Sequence, residues 1–175
     1  PDIHWETAQK NDFGLEMGLF KNLISINADY WTENRTEMLL PGAQRASIPP
    51  FFGNTPPAAN VGQVKAHGYE IEVKLDKRVT NDFRYWATIA MTHTINEVIA
   101  KDDPVLLAAY QKQAGFQTGQ TKAQIRTSFY NNWDQIFASI PQESNDLAKL
   151  PGFYDIADFN ADGIIKADDA APTGY

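Results

Sequence analysis

Hydrophobic and polar residues alternate one for one through four stretches in the first half of the chain. Phe13, Leu15, Met17 and Leu19 share one parity, while Lys10, Asp12, Gly14, Glu16 and Gly18 take the other. The pattern resumes with Ile24, Ile26, Ala28 and Tyr30 against Ser25, Asn27 and Asp29. A third stretch sets His67, Tyr69, Ile71, Val73 and Leu75 against Gly68, Glu70, Glu72 and Lys74. A fourth sets Phe83, Tyr85, Ala87, Ile89 and Met91 against Arg84, Thr88 and Thr92. Successive side chains of a strand leave opposite faces, so each stretch predicts a strand with one apolar and one polar face. The enrichment in β-branched and aromatic residues agrees.

The connections alternate too. Lys21-Asn22 predicts a tight two-residue turn, and the link over 76–82 is also short. The link over 39–63 is long and proline-rich, and everything past Ile99 is longer still. The predicted organisation is a first β-hairpin over 1–38, a long loop over 39–63, a second hairpin over 64–98 and an excursion over 99–175. Two folds share the alternation. A soluble β-sandwich would bury the apolar face against a second sheet. A transmembrane β-barrel would turn it to lipid, with short turns at one end and long loops at the other. Predicted strands of about 12–16 residues, well beyond the usual length in soluble sheets, favour the barrel. Its polar face, with Asp12, Glu16, Asp29, Glu70 and Glu72, suits a water-filled lumen. Phe20, Tyr30, Trp31, Tyr69, Tyr85 and Trp86 stand near strand ends, as interfacial girdles do, though a core would use them equally well. Closing a barrel takes at least about eight strands, so this reading makes the four a piece of something larger.

Past Ile99 the period of two fails. Asp103-Pro104 has the form of a helix cap and first turn, predicting a helix that runs to Gly115. Phe129, Trp133 and Phe137 recur at helical spacing. That stripe is either a platform for stacking sugars or, more plainly, a helix face packed onto the rest of the segment.

DFNADGIIKADD, residues 158–169, has the spacing of a twelve-residue calcium loop. Calcium takes six to eight hard oxygen ligands, drawn from positions 1, 3, 5, 7 and 12. Asp158, Asn160 and Asp162 fill the first three, Ile164 offers its carbonyl, and Asp169 stands at the twelfth. Gly163 allows the sharp turn, and Ile165 anchors the loop by its side chain. Lys166, at the ninth position, cannot ligate. The competing account is an acidic turn built from good turn formers. A single loop within a long excursion suits a structural Ca2+ clip better than a sensor.

Composition removes other classes. A formal charge of −7 argues against nucleic acid as a partner. With no cysteine there is no disulfide, thiolate nucleophile or Cys-based zinc site. No apolar run is long enough for a membrane helix, which leaves barrels untouched. His4, His67 and His93 are scattered, and neither a nucleophile elbow nor a phosphate-binding glycine loop occurs, so an enzyme is not expected.

Several phrases, in order, resemble one family. WETAQKNDFGLEMGLFKN, ISINADYWTENRTEMLL and VGQVKAHGYEIEVKL are similar to late barrel strands of the SusC/RagA-like TonB-dependent transporters of the Gram-negative outer membrane. GFQTGQ, FYNNWDQIF and DFNADGIIKADDAAPTGY resemble the loop elements that follow them. The resemblance implies a large barrel with an N-terminal plug, energised through TonB, that imports glycans or peptides beneath a SusD-like surface lipoprotein acting as a lid. It places these residues in the C-terminal half of the barrel, with the plug and the TonB-contacting segment outside them. The loop of Asp158, Asn160, Asp162, Ile164 and Asp169 carries over. In the stretch IPPFFGNTPP, Phe51 and Phe52 are candidates for contact with substrate or lid, or for packing within their own proline-stiffened loop. The rival is a soluble, calcium-stabilised carbohydrate-binding β domain.

Overall fold

The computed structural model describes residues 3–48, 53–144 and 146–174. Phe51 and Phe52 lie outside the described residues. The chain forms two compact units: Pro1–Val105 with Gln113–Thr118, and Leu106–Lys112 with Gly119–Tyr175.

The first unit is built on one antiparallel meander of four strands: β1 (Thr7–Leu19), β2 (Ile24–Leu40), β3 (Ala59–Arg78) and β4 (Arg84–Ala100). Its register aligns side chains of like character across all four. Leu15, Ala28, Ile71 and Met91 form one row, Met17, Ile26, Val73 and Ile89 the next, and Leu19, Ile24, Leu75 and Ala87 a third. Phe13, Tyr30, Tyr69 and His93 make an aromatic row beyond them, with the Tyr69 and His93 rings 5.4 Å apart. The sandwich expectation fails on this face. Leu15 is 56% exposed and Ile89 71%, and no second sheet covers them among the described residues of this unit.

The opposite face carries Asp12, Trp31, Gly68 and Thr94 in one row, then Gly14, Asp29, Glu70 and Thr92, then Glu16, Asn27, Glu72 and Ala90. Trp31 and Trp86 therefore stand on the polar side and are not part of an apolar-face girdle, because parity along the strand overrides nearness to its end. Trp31 needs a glycine beneath it. A Cβ at Gly68 would fall 2.9 Å from the Trp31 ring and 2.6 Å from the His93 carbonyl oxygen.

The strands outrun the alternation. β3 starts at Ala59, although ANVGQVKA does not alternate cleanly, because the ladders to β2 and β4 pair its backbone. A register shift between Arg35 and Met38 bends β2 where Glu37 adopts φ 58°. The first turn closes on Lys21-Asn22 as expected, the Leu23 amide donating to the Phe20 carbonyl at 3.4 Å. Phe20, Lys21, Asn22 and Leu23 connect the strands, with Phe20, Lys21 and Asn22 all at positive φ. The loop after β2 is tied to the end of β4, since Arg45 Nε donates to Asp102 Oδ2 at 3.2 Å and its Nη1 donates to the Pro57 carbonyl at 3.2 Å.

The helix expected from Pro104 to Gly115 is absent. Only a single 3-10 turn forms, at Ala109–Gln111. Asp103 does not cap a helix; its carboxylate accepts from the amides of Gln113 at 3.1 Å and Ala114 at 2.9 Å, folding the chain back. Val105 and Leu106 are exposed, so the apolar run has no face on which to pack as a helix.

The second unit holds two short ladders, β5 (Lys122–Ala123) with β8 (Ala171–Pro172) and β6 (Arg126–Phe129) with β7 (Tyr154–Ile156), and one turn of helix, α1 (Trp133–Phe137). The aromatic stripe is broken, because Phe129 ends a strand and only Trp133 and Phe137 share the helix. Neither packs into a core. Trp133 is 50% exposed and Phe137 82%. The buried anchors are Tyr130, Ile165 and Ala171. Lys149 is buried too, and its ammonium is satisfied by the Ile140 carbonyl at 2.7 Å, Ser139 Oγ at 2.9 Å and Asp146 Oδ1 at 2.7 Å.

Gly68→Ala is expected to lower stability by about 1–3 kcal/mol, the scale of overpacking, read as a lower denaturant midpoint. Adding Trp31→Ala should restore only part of the loss, because the His93 carbonyl stays in place.

Candidate metal loop

The acidic loop over 158–169 leaves β7 and ends in a 3-10 turn, Ala167–Asp169. Its local fold follows from short polar side chains bonding nearby amides. Asp158 accepts from the amides of Asp162 at 3.2 Å and Gly163 at 2.8 Å. Asn160 Oδ1 accepts from the Asp162 amide at 2.9 Å, and Asp162 Oδ1 from that of Ile164 at 3.0 Å. Gly163, at φ 86°, supplies the left-handed turn that its position requires, and Ala161 joins it at φ 59°.

Two residues hold the loop from within. Asp169 is fully buried, with Oδ1 accepting from the amides of Phe159 and Asn160 and Oδ2 from that of Lys166. Ile165, also buried, pairs its backbone with the 141–143 segment: its amide donates to the Pro141 carbonyl and its carbonyl accepts from the Glu143 amide. Tyr110 closes one side, donating its hydroxyl to the Asp168 carbonyl at 2.8 Å with its ring edge-on to Phe159. Burial, and then the charges of Asp168, Asp169, Asp162 and Asp158, push the Tyr110 hydroxyl above the ordinary tyrosine range.

The expected ligand residues Asp158, Asn160 and Asp162 share one turn, but among the described residues no group of three or more acidic or histidine side chains is gathered into a metal-holding set. The donor chemistry fits a hard cation, being oxygen throughout, and each carboxylate keeps lone pairs beyond its amide bonds. Lys166 is the residue whose role the sequence reading missed. Beyond failing to ligate, it sets its ammonium 2.7 Å from Asp162 Oδ2 and 3.6 Å from Asp168 Oδ2. The i, i+4 spacing of Asp162 and Lys166 could have flagged this pairing. The hydrogen bond from Lys166, joined by that from the Ile164 amide, holds the Asp162 carboxyl below the ordinary aspartate range, and Asp162 in turn raises the Lys166 ammonium.

No family model matches the chain. Three curated proteins of Formosa agariphila are similar to it. TonB-dependent receptor P3 is 29% identical over 87 residues, which cover 50% of this chain and 8% of that protein. TonB-dependent receptor P39 is 25% identical over 119 residues, covering 67% and 10%. TonB-dependent receptor P26 is 23% identical over 187 residues, covering 99% and 18%. The chain thus spans between 8% and 18% of the length of these relatives. Two solved structures of the RagAB peptide importer share its fold. The 'closed-closed' state matches with a TM-score of 0.61 at 16% identity and the 'open-open' state with 0.62 at 17%, each over 99% of this chain and 18% of the other. The fold is that of a segment of a TonB-dependent barrel with its attached excursions.

Asp169→Ala is expected to free the amides of Phe159, Asn160 and Lys166 and to cost about 1–3 kcal/mol, seen as faster hydrogen exchange at those three positions. Because the Asp162 carboxyl is depressed, its contribution is full above the ordinary aspartate value of about 4 and disappears as pH falls through the lowered one. Protection of the Ile164 amide should therefore collapse only in acid.

Proposed function

We propose that this chain, a stretch of a SusC/RagA-type TonB-dependent receptor, is part of a barrel that imports nutrient across the outer membrane of a Gram-negative bacterium. The observation that carries the reading is the banded face of the sheet. Its three apolar rows lie between Tyr85 at the short-turn end of β4 and the aromatic row that ends in His93. The eight residue steps from Tyr85 to His93 span roughly 27 Å, or about 21 Å along the membrane normal at the usual tilt, near the ~25 Å apolar band of outer-membrane barrels. Above the aromatic row the strands continue with Asn11, Thr32, His67 and Ile95, then Gln9, Asn34, Lys65 and Glu97, a change to mostly polar side chains that fits strands leaving lipid. The polar face, with Asp12, Glu16, Asp29, Glu70 and Glu72, then lines water.

The relatives and structural neighbours support the import steps of the reading, whereas the calcium step rests on the oxygen donors of the loop alone. Energy enters through TonB, acting on a plug outside these residues. A SusD-like surface lipoprotein covers the outer mouth. The cargo is a glycan or a peptide. The acidic loop over 158–169 takes Ca2+ as a structural clip, through Asp158, Asn160, Asp162, the Ile164 carbonyl and Asp169. Bound Ca2+ would supply charge neutralisation to a loop that the Lys166 ammonium neutralises otherwise.

Leu15→Arg or Val73→Arg should each cost about 2–4 kcal/mol near the bilayer midplane and lower the amount of folded protein in the outer-membrane fraction. Normal insertion of both variants would remove the lipid-facing assignment. In a calorimetric titration with CaCl2, Asp158→Ala should lose binding. Lys166→Gln, which takes away the internal competitor, should tighten it several-fold. Equal isotherms for wild type and both variants would remove the metal assignment.

A further inference from the structure

The pairing of β6 with β7 sets Arg126 opposite Ile156, and a register shift follows between Arg126 and Ser128. The Arg126 guanidinium lies 3.9 Å from the centre of the Tyr154 ring. Tyr154 in turn stacks on Phe153, with centroids 4.5 Å apart and planes at 21°. A guanidinium held on an aromatic face is fixed in place while its N–H groups remain available to an anion. None of the ion pairs among the described residues involves Arg126.

Arg126 borders a cleft of about 280 Å³, lined also by Gln142, Ser144, Tyr154 and Ile165. Gln142 is only 6% exposed. Its backbone is fixed by a bond from its amide to Asp146 Oδ1 at 3.0 Å and by the parallel bridge to Ile165. Its side-chain nitrogen is closed to solvent and has no acceptor. A buried donor left unpaired costs about as much as a lost hydrogen bond, so few native side chains tolerate it without a reason. The last torsion of a glutamine is soft, so the amide turns toward an arriving acceptor at little cost. The cleft thus joins an anchored cation, an unmatched amide donor and the Ser144 hydroxyl.

We propose that this cleft binds the carboxylate group of a ligand, with Arg126 donating charge-assisted bonds and Gln142 Nε2 a further one. A carboxylate suits the set because it is planar, accepts two parallel bonds from a guanidinium and has lone pairs left for the amide. Two sources offer this group, a sugar acid of a glycan and the free C-terminus of a peptide. The site does not depend on the import reading above, and a receptor that imported nothing could still bind here.

The test uses the full-length protein purified in detergent and calorimetric titration with four probes. These are a galacturonate trisaccharide, the matching neutral galactose trisaccharide, the tripeptide Ala-Gly-Ala with a free C-terminus, and its C-terminal amide. At least one carboxylate probe should bind ten-fold or more tightly than its neutral counterpart, and the responding pair identifies the source. Arg126→Gln should erase that preference. Gln142→Leu should weaken it several-fold while leaving the thermal midpoint equal to or above that of wild type, since the amide it removes has no partner to lose. Charged and neutral probes that bind alike, no binding by any probe, or a preference that survives Arg126→Gln would each overturn the proposal.

Discussion

Everything in the first unit depends on the register of one antiparallel ladder. A strand has a period of two, so a slip of one residue in any pairing would exchange its faces. Leu15, Ile26, Val73 and Ile89 would then stand with the acids, and Asp29, Glu70 and Glu72 would stand on the apolar side. The observed pairing keeps three rows apolar across all four strands. Small residues hold it in place. Gly14 leaves room for Asp29, Gly18 for Asn22 and Gly68 for Trp31, and none of these fits survives a shift by one.

The second unit follows a different rule. Its ladders are two to four residues long and its buried apolar residues are few. Order comes instead from side chains that bond the backbone of distant segments. Tyr110 and Gln111 meet the Asp168 carbonyl, Gln120 the Thr173 carbonyl, Lys122 the carbonyls of Gln111 and Lys112, and Lys149 that of Ile140. Loop backbone buried without such partners would carry unmatched polar groups. A segment of this kind can keep a fixed form while leaving Trp133 and Phe137 out of its core.

The sheet could be read from the sequence because a face in contact with a single apolar medium imposes strict alternation, and Phe13 to Leu19 and Tyr69 to Leu75 display it. The ends of the strands could not, since the ladder rather than the side-chain pattern carries Ala59–Ala66. Asp103 gave the signal of a helix cap, yet the same carboxylate serves equally well to draw Gln113 and Ala114 back toward it, and the choice is made by tertiary contacts. The turn over 158–169 was legible from its Asp, Asn and Gly spacing, whereas the ion pair of Lys166 forms only because that turn brings positions 162 and 166 together. The cleft beside Arg126 left no trace in the sequence. It needs β6, β7 and the Gln142 bridge, which are far apart along the chain.

The ion pair between Arg45 and Asp102 is only slightly exposed on either side, at 17% and 13%. It joins the loop that follows β2 to the point where the chain leaves β4. With its other arm Arg45 holds the Pro57 carbonyl, at the far end of the same loop. One guanidinium is thus a rivet through three strand ends, and the loop cannot lift from the end of the sheet without either stranding two mostly buried charges or drawing the root of the next excursion with it. The loop after β2 and the point at which the chain leaves β4 therefore move together.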